Sequence, residues 1–184
     1  MEKLLEIIEK LNNDELPDIE SCKRLLYYSL YDGVSGLKNR HAFDLKIKDI
    51  ESRGQFRPIG IIFADVNALK FMNDHYGHDM GDILIRKCAF LLASYFGNEN
   101  CYRVSGDEFI VLVDDFLNEE FGDLFVNDVE TFHHIIHKKN IPPISLGWYY
   151  VASNIKISEA IRIAEERMRS NKKVFYKEYP EFRR

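Results

Sequence analysis

The run Ile59-Gly60-Ile61-Ile62-Phe63, which has no polar side chain and follows Pro58 directly, constrains the fold more than any other stretch of the chain. Short and β-branched, it reads as a central strand over 57–66, buried on both faces. Asp65 then stands near the carboxyl end of a core strand. Two further strand-like runs, 101–104 and 109–113, are separated by a few residues that include Gly106, the pattern of a β-hairpin. The hairpin tip carries Asp107 and Glu108. An acidic strand end beside an acidic tip offers the oxygen ligands that Mg2+ prefers; the ion commonly takes one or two carboxylates, with water and substrate phosphates completing its shell. That combination points to nucleotide chemistry. The competing reading is a solvated turn, because Asp favours turns on its own account.

The rest of the chain supplies the layers. Leu4, Ile8 and Leu11 line one stripe of a helix over 3–11, Pro17 interrupts, and a second helix runs from Ile19 to Tyr31. Helices are expected over 41–50, 70–76, 81–96, 116–139 and 158–171, with a strand over 144–151. Phe121, Phe125, Val129 and Phe132 recur at three- and four-residue spacing in the fourth of these helices. The order is βαββαβ with additions, an α+β layout with helices on one face of a mainly antiparallel sheet. A chain of 184 residues holds one domain with a short appendage. The division is 1–26 as an N-terminal helical linker, with a packing helix as the alternative, 27–178 as the domain, and 179–184 as a tail.

Composition narrows the function classes. No apolar run approaches the roughly 20 residues of a membrane helix. The first eleven residues are amphipathic and acidic, unlike a signal peptide, so the expected location is the cytoplasm. Cys22, Cys88 and Cys101 are widely spaced among apolar neighbours and read as buried, reduced thiols. A net charge of -5 argues against nucleic-acid binding. Arg167, Arg169, Lys172 and Lys173 form a local basic cluster, either a solvated helix face or a phosphate contact. His133, His134 and His137 share a helical stretch but lack a third ligand at zinc spacing, and read as an exposed polar face.

The segment from Asp65 through Lys70, Asn73, Asp74, Gly77, His78 and Gly81 to Asp82, taken with Ser105-Gly106-Asp107-Glu108-Phe109, closely resembles the GGDEF family of diguanylate cyclases. Asp32-Gly33-Val34-Ser35-Gly36-Leu37-Lys38-Asn39-Arg40 resembles that family's opening motif, and Ser145-Leu146-Gly147 its last core strand. The resemblance covers about residues 27 to 175. It implies the palm-like, ferredoxin-type fold of nucleotidyl cyclases, and conversion of two GTP molecules to cyclic di-GMP and two pyrophosphates with Mg2+ or Mn2+. Each domain would hold one GTP, so the active species would be a homodimer, driven by an upstream sensor or signalling module.

The resemblance also assigns roles. Asp65, Asp107 and the Val66 carbonyl match the family's metal ligands, with Glu108 assisting; Asp107 is either a general base as well or a ligand only. Lys70 matches a phosphate-contacting lysine, and the backbone N–H groups of Asn67, Ala68 and Leu69 open a short helix suited to phosphates. Asn73 and Asp82 match the pair that reads guanine, Asp82 having a helix N-cap as its structural alternative. Gly106 fits a turn position needing positive φ and close approach to the nucleotide. Lys172 matches a phosphate-binding lysine that follows the last helix. Two positions depart from the pattern: Ser105 replaces a glycine, and Tyr176 stands where an arginine is expected. They sustain a rival reading, a degenerate domain that binds GTP or a protein partner without turnover.

Overall fold

The computed structural model describes residues 18–53, 57–114, 121–138, 144–151 and 155–182. The expected helix over 3–11 lies outside them. Helix α1 (Ile19–Leu30) opens on Asp18, whose Oδ1 accepts from the Ser21 N–H at 2.8 Å, and α2 (Arg40–Ser52) opens on Asn39, which caps the Ala42 N–H at 3.0 Å. Strand β1 (Ile59–Val66) follows, then α3 (Leu69–Tyr76), α4 (His78–Phe96), β2 (Cys101–Arg103) and β3 (Glu108–Val113). Helix α5 (Phe121–Lys138), strand β4 (Ile144–Val151) and helix α6 (Ile157–Glu178) complete the core, and a 3-10 turn follows at Pro180–Phe182.

The sheet order is β2-β3-β1-β4 and every pairing is antiparallel, so the strand buried on both faces in the sequence occupies an interior position. Its side chains alternate as a pleated strand requires. Ile62, Ala64 and Val66 pack with Leu84, Cys88 and Leu92 of α4 and with Phe125 and Val129 of α5. Ile59, Ile61 and Phe63 pack on the other face with Phe43 of α2 and with Ala160, Ala164 and Met168 of α6. Helices therefore cover both faces of the sheet, not one: each face of β1 and β3 carries apolar side chains and each needs a cover.

Helix α6 lies so close to β4 that a Cβ at Gly147 would come within 2.1 Å of the Met168 backbone nitrogen. That contact gives the glycine of the last-strand motif its physical reason. Residues 116–120 and 139 of the expected helix over 116–139 lie outside the described residues, and two helices differ from expectation by three residues or more at a described end. Helix α4 begins three residues early, at His78. Helix α6 continues seven residues past Asn171, because nothing between Lys172 and Glu178 breaks a helix; it stops where Tyr179 precedes Pro180. Cys88 and Cys101 are buried, and burial pushes both thiols up to about 12. Cys22, by contrast, is exposed on α1 and is not the buried thiol its apolar neighbours suggested. Among the described residues no helix is long and apolar enough to cross a membrane.

Candidate functional site

Register builds the acidic site. Asp65 faces Glu108 across the β1–β3 pair and Ser145 across the β1–β4 pair. One residue on, the Val66 N–H donates to the Asp107 carbonyl at 2.9 Å, so the strand end and the hairpin tip lie side by side. Asp65 continues the alternation of Ile59, Ile61 and Phe63, which directs it to the α6 face. There Lys172 donates to its Oδ1 at 2.5 Å. Burial pushes the Asp65 carboxyl up to about 6; Lys172 opposes the shift, while Asp107 and Glu108 reinforce it. One ammonium therefore does not neutralise this group of carboxylates. Lys172 lies inside α6, not after it, and the helix holds its ammonium over the strand end.

The tip is fastened from outside. Arg103 donates to the Gly106 carbonyl at 2.7 Å and to Asp32 Oδ1 at 2.8 Å, and that same oxygen takes the Ser35 N–H at 2.7 Å. Opening motif and hairpin are thus one unit, joined by a residue that the sequence reading passed over. In the run 101–104 Arg103 reads simply as a strand residue; only the fold shows that Asp32 is its partner. Ser105 and Gly106 are exposed. Gly106 is not among the positive-φ glycines, and a Cβ there meets no atom within 4 Å. The expectation of a left-handed turn at Gly106 is therefore corrected: the protein's own backbone and packing do not demand glycine at this position.

Beyond β1 the chain turns through Ala68, whose φ of 59° makes it the one non-glycine residue with positive φ among those described. Asn67 is buried, and its amide meets Ser145 Oγ at 2.8 Å. The Ala68 N–H is already engaged, donating to the Tyr176 hydroxyl at 3.1 Å. Leu69 opens α3, and Lys70, the next residue, is exposed. Asn73 lies where α3 packs on α4, against Gly81, the residue before Asp82. A Cβ at Gly81 would lie 1.9 Å from Asn73 Oδ1, so only glycine lets the two helices approach this closely. Asn73 Oδ1 is the one buried side-chain oxygen or nitrogen without a hydrogen-bond partner among the described residues. Asp82 is half-buried inside α4, whose N-cap is Gly77, so the capping alternative for Asp82 is excluded.

The basic cluster divides. Arg167 donates to the Trp148 carbonyl at 2.6 Å, Arg169 pairs with Glu165, Lys172 holds Asp65, and Lys173 is exposed. His133 is half-buried, with Nε2 3.2 Å from the Asn171 amide nitrogen, while His134 is exposed. His133 thus departs from the exposed polar face expected of it, because α5 turns it toward α6; the His137 side chain lies outside the described residues. Among the described residues no group of three or more His, Cys, Asp or Glu side chains converges as a metal cage. A pair of carboxylates plus a backbone carbonyl is still the donor set that suits Mg2+, which leaves most of its shell to water and phosphate.

The sequence profile described as "Diguanylate cyclase, GGDEF domain" matches residues 29–175. Diguanylate cyclase DgcS of Shewanella oneidensis is 29% identical over 112 residues, 59% of this chain and 38% of that protein. Cyclic di-GMP phosphodiesterase PdeB of the same organism is 34% identical over 110 residues, 59% of this chain and 12% of its own length. The chain thus spans well under half of these curated relatives. Among solved structures, the coiled coil and GGDEF domain of DgcB from Caulobacter crescentus in complex with c-di-GMP aligns with a TM-score of 0.72 at 18% identity. That alignment covers 90% of this chain and 88% of that solved chain. With the profile covering most of its length and the antiparallel palm in place, the chain belongs to the GGDEF-domain family.

Proposed function

We propose that the chain is a diguanylate cyclase domain, with residues 27–178 as the catalytic unit, 1–26 as a signalling linker and 179–184 as a tail. Two domains facing each other would join two GTP molecules into cyclic di-GMP with release of two pyrophosphates, in the cytoplasm and under an upstream module. The observation that carries the reading is the register of Asp65 against Glu108, with Asp107 held beside Val66. Asp65, Asp107, Glu108 and the Val66 carbonyl would hold Mg2+ or Mn2+, whose charge would offset the triphosphate and acidify the attacking 3′-hydroxyl.

The other residues divide the substrate between them. Asn73 Oδ1, buried without a partner, and the Asp82 carboxylate are both acceptors, and guanine offers N1–H and N2–H2 donors where adenine offers neither. Lys70 and Lys172 bind the phosphates, Lys172 leaving Asp65 to do so. The N–H groups of Asn67, Ala68 and Leu69 line the phosphate path, and Ser105 and Gly106 form the exposed floor under the nucleotide.

A second reading, a domain that binds GTP or a protein partner without turnover, draws on Ser105, on the engaged Ala68 N–H and on the relative named as a phosphodiesterase. Incubation of the protein with GTP and Mg2+, followed by chromatography, separates the two. Cyclic di-GMP and pyrophosphate support turnover, and unchanged GTP that nonetheless binds supports the second reading. Asp82→Ala should weaken GTP binding by about 1 to 3 kcal/mol and narrow its preference over ATP. An unchanged GTP to ATP ratio would remove the guanine assignment.

A further inference from the structure

Tyr176 lies on α6 one turn beyond Lys172, and its hydroxyl accepts the Ala68 N–H across a sequence separation of 108 residues. Ala68 is the N-cap of α3, has no side-chain acceptor of its own, and stands in the αL conformation. Donors at a helix start require an acceptor from elsewhere. Here the acceptor is a phenol fixed by aromatic packing. The Tyr176 ring is edge-on to Phe175 at 5.2 Å, Phe175 stacks with Phe182 at 6.1 Å, and Phe182 is edge-on to Phe71 of α3 at 5.0 Å. Helix α6, the 3-10 turn and α3 thus share one ring cluster, and beside it lies a cavity of about 450 Å3 bordered by Ala68, Lys70 and Tyr176.

We propose that Tyr176 sets the affinity of the phosphate-binding turn by occupying the Ala68 N–H itself, so that a phosphate oxygen must displace the phenol hydroxyl to use that donor. The inference rests on the nucleotide reading above and adds to it a residue that tunes the site. The hydroxyl is a neutral acceptor and a phosphate oxygen an anionic one, so displacement is favourable. It nevertheless forfeits one neutral hydrogen bond, a cost of about two- to tenfold in affinity.

Tyr176→Phe removes the hydroxyl and keeps the ring. The test compares wild type and Y176F by titration with inorganic pyrophosphate, GTP and guanosine, with Mg2+ present. Pyrophosphate and GTP should bind Y176F about two- to tenfold more tightly, and guanosine equally to both proteins. In wild type, the Ala68 amide resonance should move on addition of pyrophosphate, toward the position it takes in pyrophosphate-bound Y176F. Unchanged or weaker pyrophosphate binding by Y176F, or a parallel change for guanosine, overturns the role of Tyr176. Absence of GTP binding in both proteins overturns the nucleotide reading and this inference together.

Discussion

Asp65 and Asp114 are buried aspartates at opposite ends of the β1–β3 pair, about 20 Å apart at ~3.3 Å per residue. Their surroundings differ in the supply of positive charge. Asp114 receives Lys46 at 2.9 Å and Arg53 at 2.5 Å; burial would raise its carboxyl, but the two cations hold it below the usual value. Asp65 receives one ammonium, has two more acids as neighbours, and is pushed up to about 6. One end of the sheet is neutralised by the protein itself and ties α2 to β3. The other is left short of positive charge, which a ligand can supply. Perturbed carboxylates cluster at functional sites, and structural ion-pair networks such as that of Asp114 perturb them as well.

The largest expected effect breaks the comparison at its functional end. On the cyclase reading proposed above, Asp107→Asn should lower turnover of GTP by at least about a hundredfold, the scale of losing one group that acts on the transition state, with the fold intact by circular dichroism. Asp114→Asn should leave turnover per folded molecule unchanged. Equal loss in both variants would show that the acidic tip has no special role.

Next in size is stability. Asp114→Asn leaves Lys46 and Arg53 facing a neutral amide and should cost about 3 kcal/mol in urea denaturation, the lower end for breaking a buried pair because both cations keep some solvent. Asp65→Asn should act with the opposite sign. A carboxyl raised in the folded state is ionised at neutral pH at the expense of folding, so the amide should stabilise the metal-free protein by about 1 to 2 kcal/mol. Destabilisation by Asp65→Asn would mean that its bond with Lys172 outweighs the burial of charge, and the contrast between the two ends would disappear.

Much of this contrast is visible in the sequence, and the missing parts share a cause. Strand β4 has the bounds expected of it, and β1 starts two residues later than expected, because apolar alternation within a strand is a local property. The acidic tip is equally legible. Partnerships across long separations are not. Arg103 with Asp32, Asp114 with Lys46 and Arg53, and Tyr176 with Ala68 depend on which elements pack together. The end of α6 differs from expectation because the resemblance places Lys172 after the last helix, whereas Phe175, still in the helix, packs on Phe182 of the 3-10 turn. Gly106 differs from expectation because glycine in a tip suggests positive φ, although this turn forms without it.

The smallest effect concerns pH and isolates Asp114. Its folded carboxyl lies below the ordinary value of 3.8, so its contribution to stability is complete above the unfolded value of about 3.9 and is lost as pH falls through the lower folded one. In that acid window the unfolded chain binds more protons than the native one, and stability must fall with decreasing pH by up to ~1.4 kcal/mol per unit for one group. Urea midpoints measured in steps from pH 5 to pH 3 should therefore descend more steeply in wild type than in Asp114→Asn. Parallel profiles for the two proteins would mean that the ion pairs with Asp114 leave its proton affinity unchanged, and that its end of the sheet is not the self-neutralised counterpart of the acidic site.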